Sequence, residues 1–209
     1  MATNEPIAIA LLAKAPTAGL AKTRLIPVLG PERAALLQGR LIERAADTAS
    51  RSALGPLTLW ATPDESHVLF QTIAIHHRCT LARQSEDDLG TRMLAAASRA
   101  NGPVLVMGTD CPPLTIAHLR RAADILRAGT DVVILPAEDG GYVLIGMRAP
   151  QLTIFASPIC WGSPRVLGET RRRLRRLGLT WQEPFMLWDL DVPADLDRLK
   201  SAGLEELLL

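Results

Sequence analysis

The chain has 209 residues, of which 48% are hydrophobic and 22% charged, with a formal net charge of +1. That length suits one α/β domain, residues 1–209, and so small a charge sets up no global field to recruit nucleic acid or an anionic membrane. Aromatic residues are only 4%, a poor supply of stacking platforms for single strands, and the odd set Cys79, Cys111 and Cys160 lacks the Cys-x-x-Cys spacing of a zinc site. The N-terminus carries no basic n-region, and the apolar run at 7–13 is too short to span a bilayer, so a soluble cytoplasmic protein is expected.

Residues 7–14 (Ile-Ala-Ile-Ala-Leu-Leu-Ala-Lys) are apolar up to Lys14, as a central parallel strand is. They run into a loop at 15–25 containing Pro16, Gly19, Lys22 and Arg24. Small residues let backbone N–H groups approach a phosphate chain, and Lys14, Lys22 and Arg24 would neutralise it; the plainer alternative is a solvated basic turn. The loop is not a P-loop, because Gly19 is three residues before Lys22 and Ala21 stands where the second glycine belongs.

A long helix is predicted at 31–52, with Pro31 in its first turn and an apolar stripe through Ala35, Leu36, Leu41, Ile42, Ala45 and Ala49. A second strand is expected at 57–61. Asp64 is expected to cap a short helix reaching about residue 73, and a weaker third strand follows at 79–83. His67, His76, His77 and His118 show no metal-ligand spacing. A helix at 89–100 opens with Leu-Gly-Thr-Arg; Gly90 permits a ligand to approach backbone N–H groups, and Arg92 either reaches that ligand or stays in solvent.

The stretch 104–110 (Val-Leu-Val-Met-Gly-Thr-Asp) reads as a buried strand with Asp110 at its carboxyl end, followed by Cys111-Pro112-Pro113. Ligands of open α/β sheets bind at that edge, and an acid fixed there can hold a divalent metal against phosphates. The alternative is that Asp110 caps the next helix, predicted at 115–128 with Thr115 as its own cap. A fifth strand at 132–136 leads through Glu138-Asp139-Gly140-Gly141, a hairpin turn, into an apolar strand at 142–146. This turn is placed at the same edge as Asp110, where it can face a second substrate. Residues 150–163 are irregular. A helix at 164–177 carries Arg171, Arg172, Arg173, Arg175 and Arg176, read as a solvated face. Residues 181–188 suggest an edge strand broken by Pro184, and a last helix starts at 194–199. Asp191 is either its N-cap or a second metal carboxylate. The tail Leu207-Leu208-Leu209 packs on the domain or on another subunit, which keeps a homodimer open.

Strands alternating with helices predict a three-layer α/β domain with a mainly parallel sheet. Right-handed crossovers place the second and third strands on one side of the first. If the 104–107 strand lies on the other side, the 14–24 loop and Asp110 flank one crevice at a topological switch point.

Five segments then carry a resemblance: Lys14-Ala15-Pro16 with Gly19 and Lys22-Thr23-Arg24-Leu25; Leu89-Gly90-x-Arg92-Met93; Gly108-Thr109-Asp110-Cys111-Pro112; Pro136-Ala137-x-Asp139-Gly140-Gly141-Tyr142-x-Leu144-Ile145-Gly146; and Trp188-Asp189-Leu190-Asp191-x-Pro193-x-Asp195-Leu196. In this order they resemble a family of bacterial GT-A-like transferases of the nucleotide-diphospho-sugar transferase superfamily, labelled glycosyltransferases or radical-SAM-associated proteins. Lys22-x-Arg24-Leu25 and Asp191-x-Pro193 are also similar to phospholactate guanylyltransferases and molybdopterin nucleotidyltransferases. The resemblance implies a GT-A fold, Mg²⁺ or Mn²⁺, a nucleotide sugar or nucleoside triphosphate as donor, and a small-molecule acceptor. It places Lys14, Gly19, Lys22 and Arg24 on the phosphates, Gly90 and Arg92 near the nucleotide, and Asp110 with Asp191 on the metal. Asp139, Gly140, Gly141, Tyr142 and Trp161 would shape the acceptor pocket, and catalysis falls to Asp110, Asp139 and Lys22. Glycosyl transfer stands first on this reading, ahead of nucleotidyl transfer and of nucleotide binding without turnover. One departure matters: Thr109-Asp110-Cys111 holds a single aspartate where glycosyltransferases of this fold often carry Asp-x-Asp, and a single aspartate is the nucleotidyltransferase pattern.

Overall fold

The computed structural model describes residues 5–156 and 159–208. Its chain runs β1 (Ala8–Lys14), a 3-10 turn at Thr23–Leu25, α1 (Ile26–Leu29), α2 (Pro31–Ser52), β2 (Leu57–Thr62), α3 (Val68–His77), β3 (Thr80–Arg83), α4 (Leu89–Ser98) and β4 (Val104–Met107). It continues through α5 (Ile116–Arg127), β5 (Val132–Pro136), β6 (Tyr142–Met147), α6 (Leu152–Phe155), α7 (Val166–Leu177), β7 (Trp181–Gln182), α8 (Asp195–Ser201) and a 3-10 turn at Glu205–Leu208. The seven strands form one sheet in the order β3-β2-β1-β4-β6-β5-β7. Pairings β1–β2, β1–β4, β2–β3 and β5–β7 are parallel, while β6 runs antiparallel to both β4 and β5. The three-layer, mainly parallel sheet is the expected architecture, and β4 lies on the side of β1 away from β2 and β3, which meets the condition for a topological switch point between β1 and β4.

Two cores explain the layers. On β1, Ile9, Leu11 and Ala13 point to one face and pack with Ile42 and Ala46 of α2, Phe70 and Ile73 of α3, and Leu119 and Ala123 of α5. The alternate residues Ala8, Ala10 and Leu12 point the other way, toward Met93 and Ala97 of α4, Phe155 of α6 and Leu174 of α7. Strand side chains alternate by face, so a strand buried on both must be apolar at every position. A third cluster joins Leu25, Leu37 and Leu41 to Leu190, Leu199 and Leu207, fastening the C-terminal segment over α2. The tail leucine Leu207 thus packs on its own chain; Leu209 lies outside the described residues.

Helix ends follow local chemistry with one correction. α2 spans the predicted residues, although Leu36 of the expected stripe is exposed and Leu37 is the buried leucine of that turn, and Thr115 caps α5 in a capping box completed by His118. Asp64 does not cap α3. Its carboxylate accepts from Ser66 N in a local turn, and α3 starts at Val68 with the His67 ring accepting from Leu69 N. The arginine run on α7 is a second correction. Arg173 is buried, pairs with Glu169, and donates to the carbonyls of Thr153, Ile154 and Ala156 at the end of α6. Arg171 forms two hydrogen bonds to Glu183. Only part of that run faces solvent.

Candidate functional site

A cleft of about 620 Å³ opens at the carboxyl ends of β1 and β4. Its lining includes Lys14, Lys22, Arg24 and Arg92 from the first half of the chain, and Asp110, Asp139, Asp189 and Asp191 from the second. Four cations and four carboxylates therefore share one concave surface, a polarity that ligand pockets seldom carry without a charged ligand to match.

Asp110 follows β4, and its backbone carbonyl accepts from Leu190 N at 2.8 Å. Lys22 completes this junction: its Nζ lies 2.8 Å from Asp110 Oδ1 and donates to Leu190 O at 2.6 Å. Lys22 reaches inward because its backbone is left-handed, with φ 46°; its side chain is 3% exposed, against 49% for that of Asp110. Thr109 supports the same corner, accepting from Gln38 Nε2 and donating to Asp110 Oδ1, each at 3.2 Å. Leu190 is fully buried. In an extended segment its neighbours point oppositely, so burying Leu190 turns Asp189 and Asp191 to the cleft. Arg24 ion-pairs with Asp191 across the rim.

Asp189 is a site residue that the sequence reading quoted within a motif but gave no role. Burial, followed by the negative charges of Asp139, Asp191 and Asp110, raises its pKa to about 6. The cause shows that the other three carboxylates lie within electrostatic range of Asp189. Cys111 beside them has its thiol pushed up to about 12, mainly by burial, so it is inert as a nucleophile.

The remaining expected residues divide. Asp139 lines the cleft and accepts from Gly141 N at 2.8 Å, holding its own turn. Gly141, Tyr142, Trp161 and Arg92 also line it. The Arg92 Nε donates to Asp87 O at 2.8 Å, and Lys14 Nζ to Leu20 O at 2.8 Å. The Tyr142 hydroxyl is buried beside Thr170, and burial raises its pKa. Gly19, Gly90 and Gly140 are not among the lining residues. At Gly90 a Cβ would sit 2.4 Å from Trp161 Cζ2, so this glycine makes room for the indole rather than for a ligand. Gly140, at φ +91°, lets the turn pass against Pro164, where a Cβ would meet the carbonyl oxygen at 2.4 Å. Asp191 is not a helix cap: α8 begins at Asp195 after Ala194, and Asp195 itself accepts from Asp191 N and Val192 N.

The donor set can be tested against a divalent cation. Among the described residues no group of three or more His, Cys, Asp or Glu is arranged to hold a metal by itself. Mg²⁺ seldom uses such a cage; one or two carboxylates plus substrate phosphates and water complete its octahedron. Asp110 and Asp189 supply hard oxygen donors that repel one another, so the residues fit an ion that arrives with a polyphosphate.

The fold is the GT-A-like fold of nucleotide-using transferases. Among solved structures, the chain is similar to a protein from Desulfovibrio desulfuricans G20 provisionally named a nucleotide-diphospho-sugar transferase, with 28% identity, 94% of this chain and 87% of that chain covered, and a TM-score of 0.84. It shares its fold with 4-diphosphocytidyl-2C-methyl-D-erythritol synthase from Anaerococcus prevotii DSM 20548, at 11% identity, 95% and 96% coverage and a TM-score of 0.62. Glucosyl-3-phosphoglycerate synthase from Mycobacterium tuberculosis, in complex with Mn²⁺, UDP and glucosyl-3-phosphoglycerate, follows at 12% identity, 98% and 78% coverage and a TM-score of 0.54. No curated protein matches the sequence. The chain belongs to the bacterial family of uncharacterised proteins known as DUF2064, whose model matches residues 45–163. Among the described residues no helix is long and apolar enough to cross a membrane.

Proposed function

We propose that the protein is a nucleotidyltransferase, moving a nucleoside monophosphate from a triphosphate to a phosphorylated small molecule and releasing pyrophosphate. The carrying observation is the build of the acid wall. A lone carboxylate follows β4, flanked by Thr109, which is buried, and Cys111, and the other acids come from distant segments, Asp139 from the turn before β6 and Asp189 and Asp191 from the C-terminal part. This replaces the expected order of readings, in which glycosyl transfer stood first. In its support, the fold likeness is greater to the synthase whose name states a diphosphocytidyl product than to the glucosyl-3-phosphoglycerate synthase.

On this reading Lys14, Arg24 and Arg92 receive the β- and γ-phosphates, whose charge they offset. Gly19 shapes the loop that carries these cations, and Gly90 keeps the Trp161 wall in place. Asp110 and Asp189, with Asp191 once Arg24 turns to phosphate, would hold Mg²⁺ or Mn²⁺, which when bound offsets charge developing on the phosphates. Lys22 keeps Asp110 fixed and adds positive charge beside the α-phosphate. An oxygen of the acceptor phosphate bonds to the α-phosphorus; the α–β bridging bond breaks and its electron pair leaves with pyrophosphate. No proton need be removed from an ionised phosphate, so Asp139, Gly140 and Gly141 act by positioning the acceptor against the faces of Tyr142 and Trp161.

The test pairs donors. Incubation with Mg²⁺, the four triphosphates and a panel of phosphorylated acceptors should release pyrophosphate in at least one combination; nucleoside diphosphate from a nucleotide sugar, with no pyrophosphate anywhere, would return the assignment to glycosyl transfer. Asp110→Ala should abolish Mg²⁺-dependent triphosphate binding by calorimetry while leaving the circular dichroism spectrum intact.

A further inference from the structure

In the first half of α2 the buried positions are Ala34, Ala35, Leu37, Leu41 and Ile42, with one polar exception, Gln38. Gln38 is 5% exposed and lines the cleft. A buried amide is unfavourable unless its hydrogen bonds are made, so packing alone would place a leucine here. Its Nε2 lies 3.2 Å from Thr109 Oγ1, and that hydroxyl lies 3.2 Å from Asp110 Oδ1. A hydroxyl has one hydrogen, and an ionised carboxylate only accepts. The hydrogen therefore points to Asp110, and Thr109 must accept from Gln38. That fixes the amide with its nitrogen toward Thr109. The three residues form a directed chain from α2 to the acid beyond β4. The same Oδ1 is paired with Lys22 Nζ at 2.8 Å. Among the described residues no protein donor reaches Oδ2 of Asp110. Arg44, further along α2, donates from Nε to Pro112 O at 2.8 Å, so the loop that carries Asp110 is tied to this helix at two points.

We infer that Gln38 is a positioning residue for the divalent cation that accompanies the donor, acting through Thr109 to set which oxygen of Asp110 is offered. The inference rests on the reading of the cleft as a site for a nucleotide and a metal. With Oδ1 held by Lys22 and Thr109, Asp110 presents Oδ2 alone and serves as a one-oxygen ligand. Chelation through both oxygens would require Oδ1 to give up two donors. A single carboxylate oxygen suits the strict octahedron of Mg²⁺, which is completed by phosphates and water. Donors behind a ligand orient it before the ion arrives, and losing one costs roughly ten- to a hundredfold in metal affinity or activity. Gln38 has no charge to offer the phosphates, so its effect is confined to the metal-dependent part of binding.

The test measures affinity for ATP, GTP, CTP and UTP by calorimetry, in Mn²⁺ and again in EDTA; the ratio of the two is the metal-dependent gain. Gln38→Met is close in shape but cannot donate, and Gln38→Leu continues the apolar face and so keeps a folded variant in hand. Both should lower the gain roughly tenfold or more, while affinity in EDTA stays within about twofold of the parent's. A packing role alone would lower both affinities together and leave the ratio unmoved. Thr109→Val should lose the gain as the Gln38 variants do, and Thr109→Ser, which keeps the hydroxyl, should retain it. Gln38→Met added to Thr109→Val should take away nothing further, because the amide works only through that hydroxyl. An unchanged gain in a folded Gln38 variant, or a loss from Gln38→Met that persists in full beside Thr109→Val, would overturn the inference and leave the nucleotide reading standing. A parent that binds triphosphate with no gain from Mn²⁺ would overturn the inference and the metal assignment together, and a parent that binds none of the four would overturn the nucleotide reading as well.

Discussion

Replacing Lys22 by Met would separate two roles that its position allows. The aliphatic stem is kept and only the ammonium is lost. Two contacts go with it, the pair with Asp110 at 2.8 Å and the hydrogen bond to Leu190 O at 2.6 Å. Hydrogen bonds to charged groups contribute about 1.5–3 kcal/mol when well buried. Asp110 is half exposed, so water recovers much of its loss, and that contact counts for about 1 kcal/mol. Leu190 is fully buried, and orphaning its carbonyl costs about 1–3 kcal/mol. The sum is about 3 kcal/mol, a fall in Tm of roughly 6–12 °C for a chain of this size. Differential scanning calorimetry without nucleotide reads it directly. A double-mutant cycle with Asp110→Asn should show coupling on the order of 1 kcal/mol. If Lys22→Met melts within a degree or two of the parent while triphosphate affinity collapses, the clamp argument is wrong and Lys22 is a phosphate ligand alone.

Other substitutions probe the acid wall and the indole wall. Asp189 has its pKa raised to about 6 in the folded protein, so between its unfolded value and 6 the folded state binds more protons, and stability falls as pH rises through that window. A shift from about 3.9 to 6 would be nearly 3 kcal/mol, but the carboxyl is only half-buried, and screening reduces the penalty at neutral pH to about 1 kcal/mol. Asp189→Asn should therefore stabilise the nucleotide-free protein at pH 7.5, give no gain near pH 4, and weaken Mg²⁺-dependent triphosphate binding; urea unfolding at the two pH values checks the first pair, and equal gains at both would refute the charge argument. Gly90→Ala should cost roughly 1–3 kcal/mol by overpacking, since its Cβ meets Trp161 Cζ2 at 2.4 Å and Phe155 O at 2.9 Å. Near-ultraviolet circular dichroism should report the displaced indole, whereas a net gain in stability would mean that helix propensity outweighs the contact.

What the sequence exposed and what it hid follow from the range of the forces involved. The 22 residues of α2 could be bounded by Pro31 and an apolar stripe, and Thr115 could be chosen as a cap, because both are settled within a few residues. Handedness placed β2 and β3 on one side of β1, and the structure supplies the condition left open, with β4 on the other side and the Lys14–Arg24 loop beside Asp110. Asp64 failed as a cap because a local turn with Ser66 claims its carboxylate first, and no pattern shows which neighbour wins. Arg173 looks like its four neighbours in sequence; only the docking of α6 makes it the one that is buried. Asp189 acquires its meaning from Asp139 and Asp110, distant in sequence, and so was invisible to any local reading.

The pinning of Leu190 has a consequence for the order of events in synthesis. The cation loop at 14–24 and Asp110 emerge early, and strands β1 to β4 can assemble as they appear. The wall that faces them is 165 residues or more downstream of the loop, and contacts of that separation form late. The cleft therefore exists only once residues 187–191 have been added and Leu190 has seated both its backbone groups. A nascent or clipped chain lacking them would expose Lys22 and Asp110 to solvent without the partner carboxylates. Such a chain could keep its sheet and still bind a triphosphate poorly, so a segment that arrives late would commission the site.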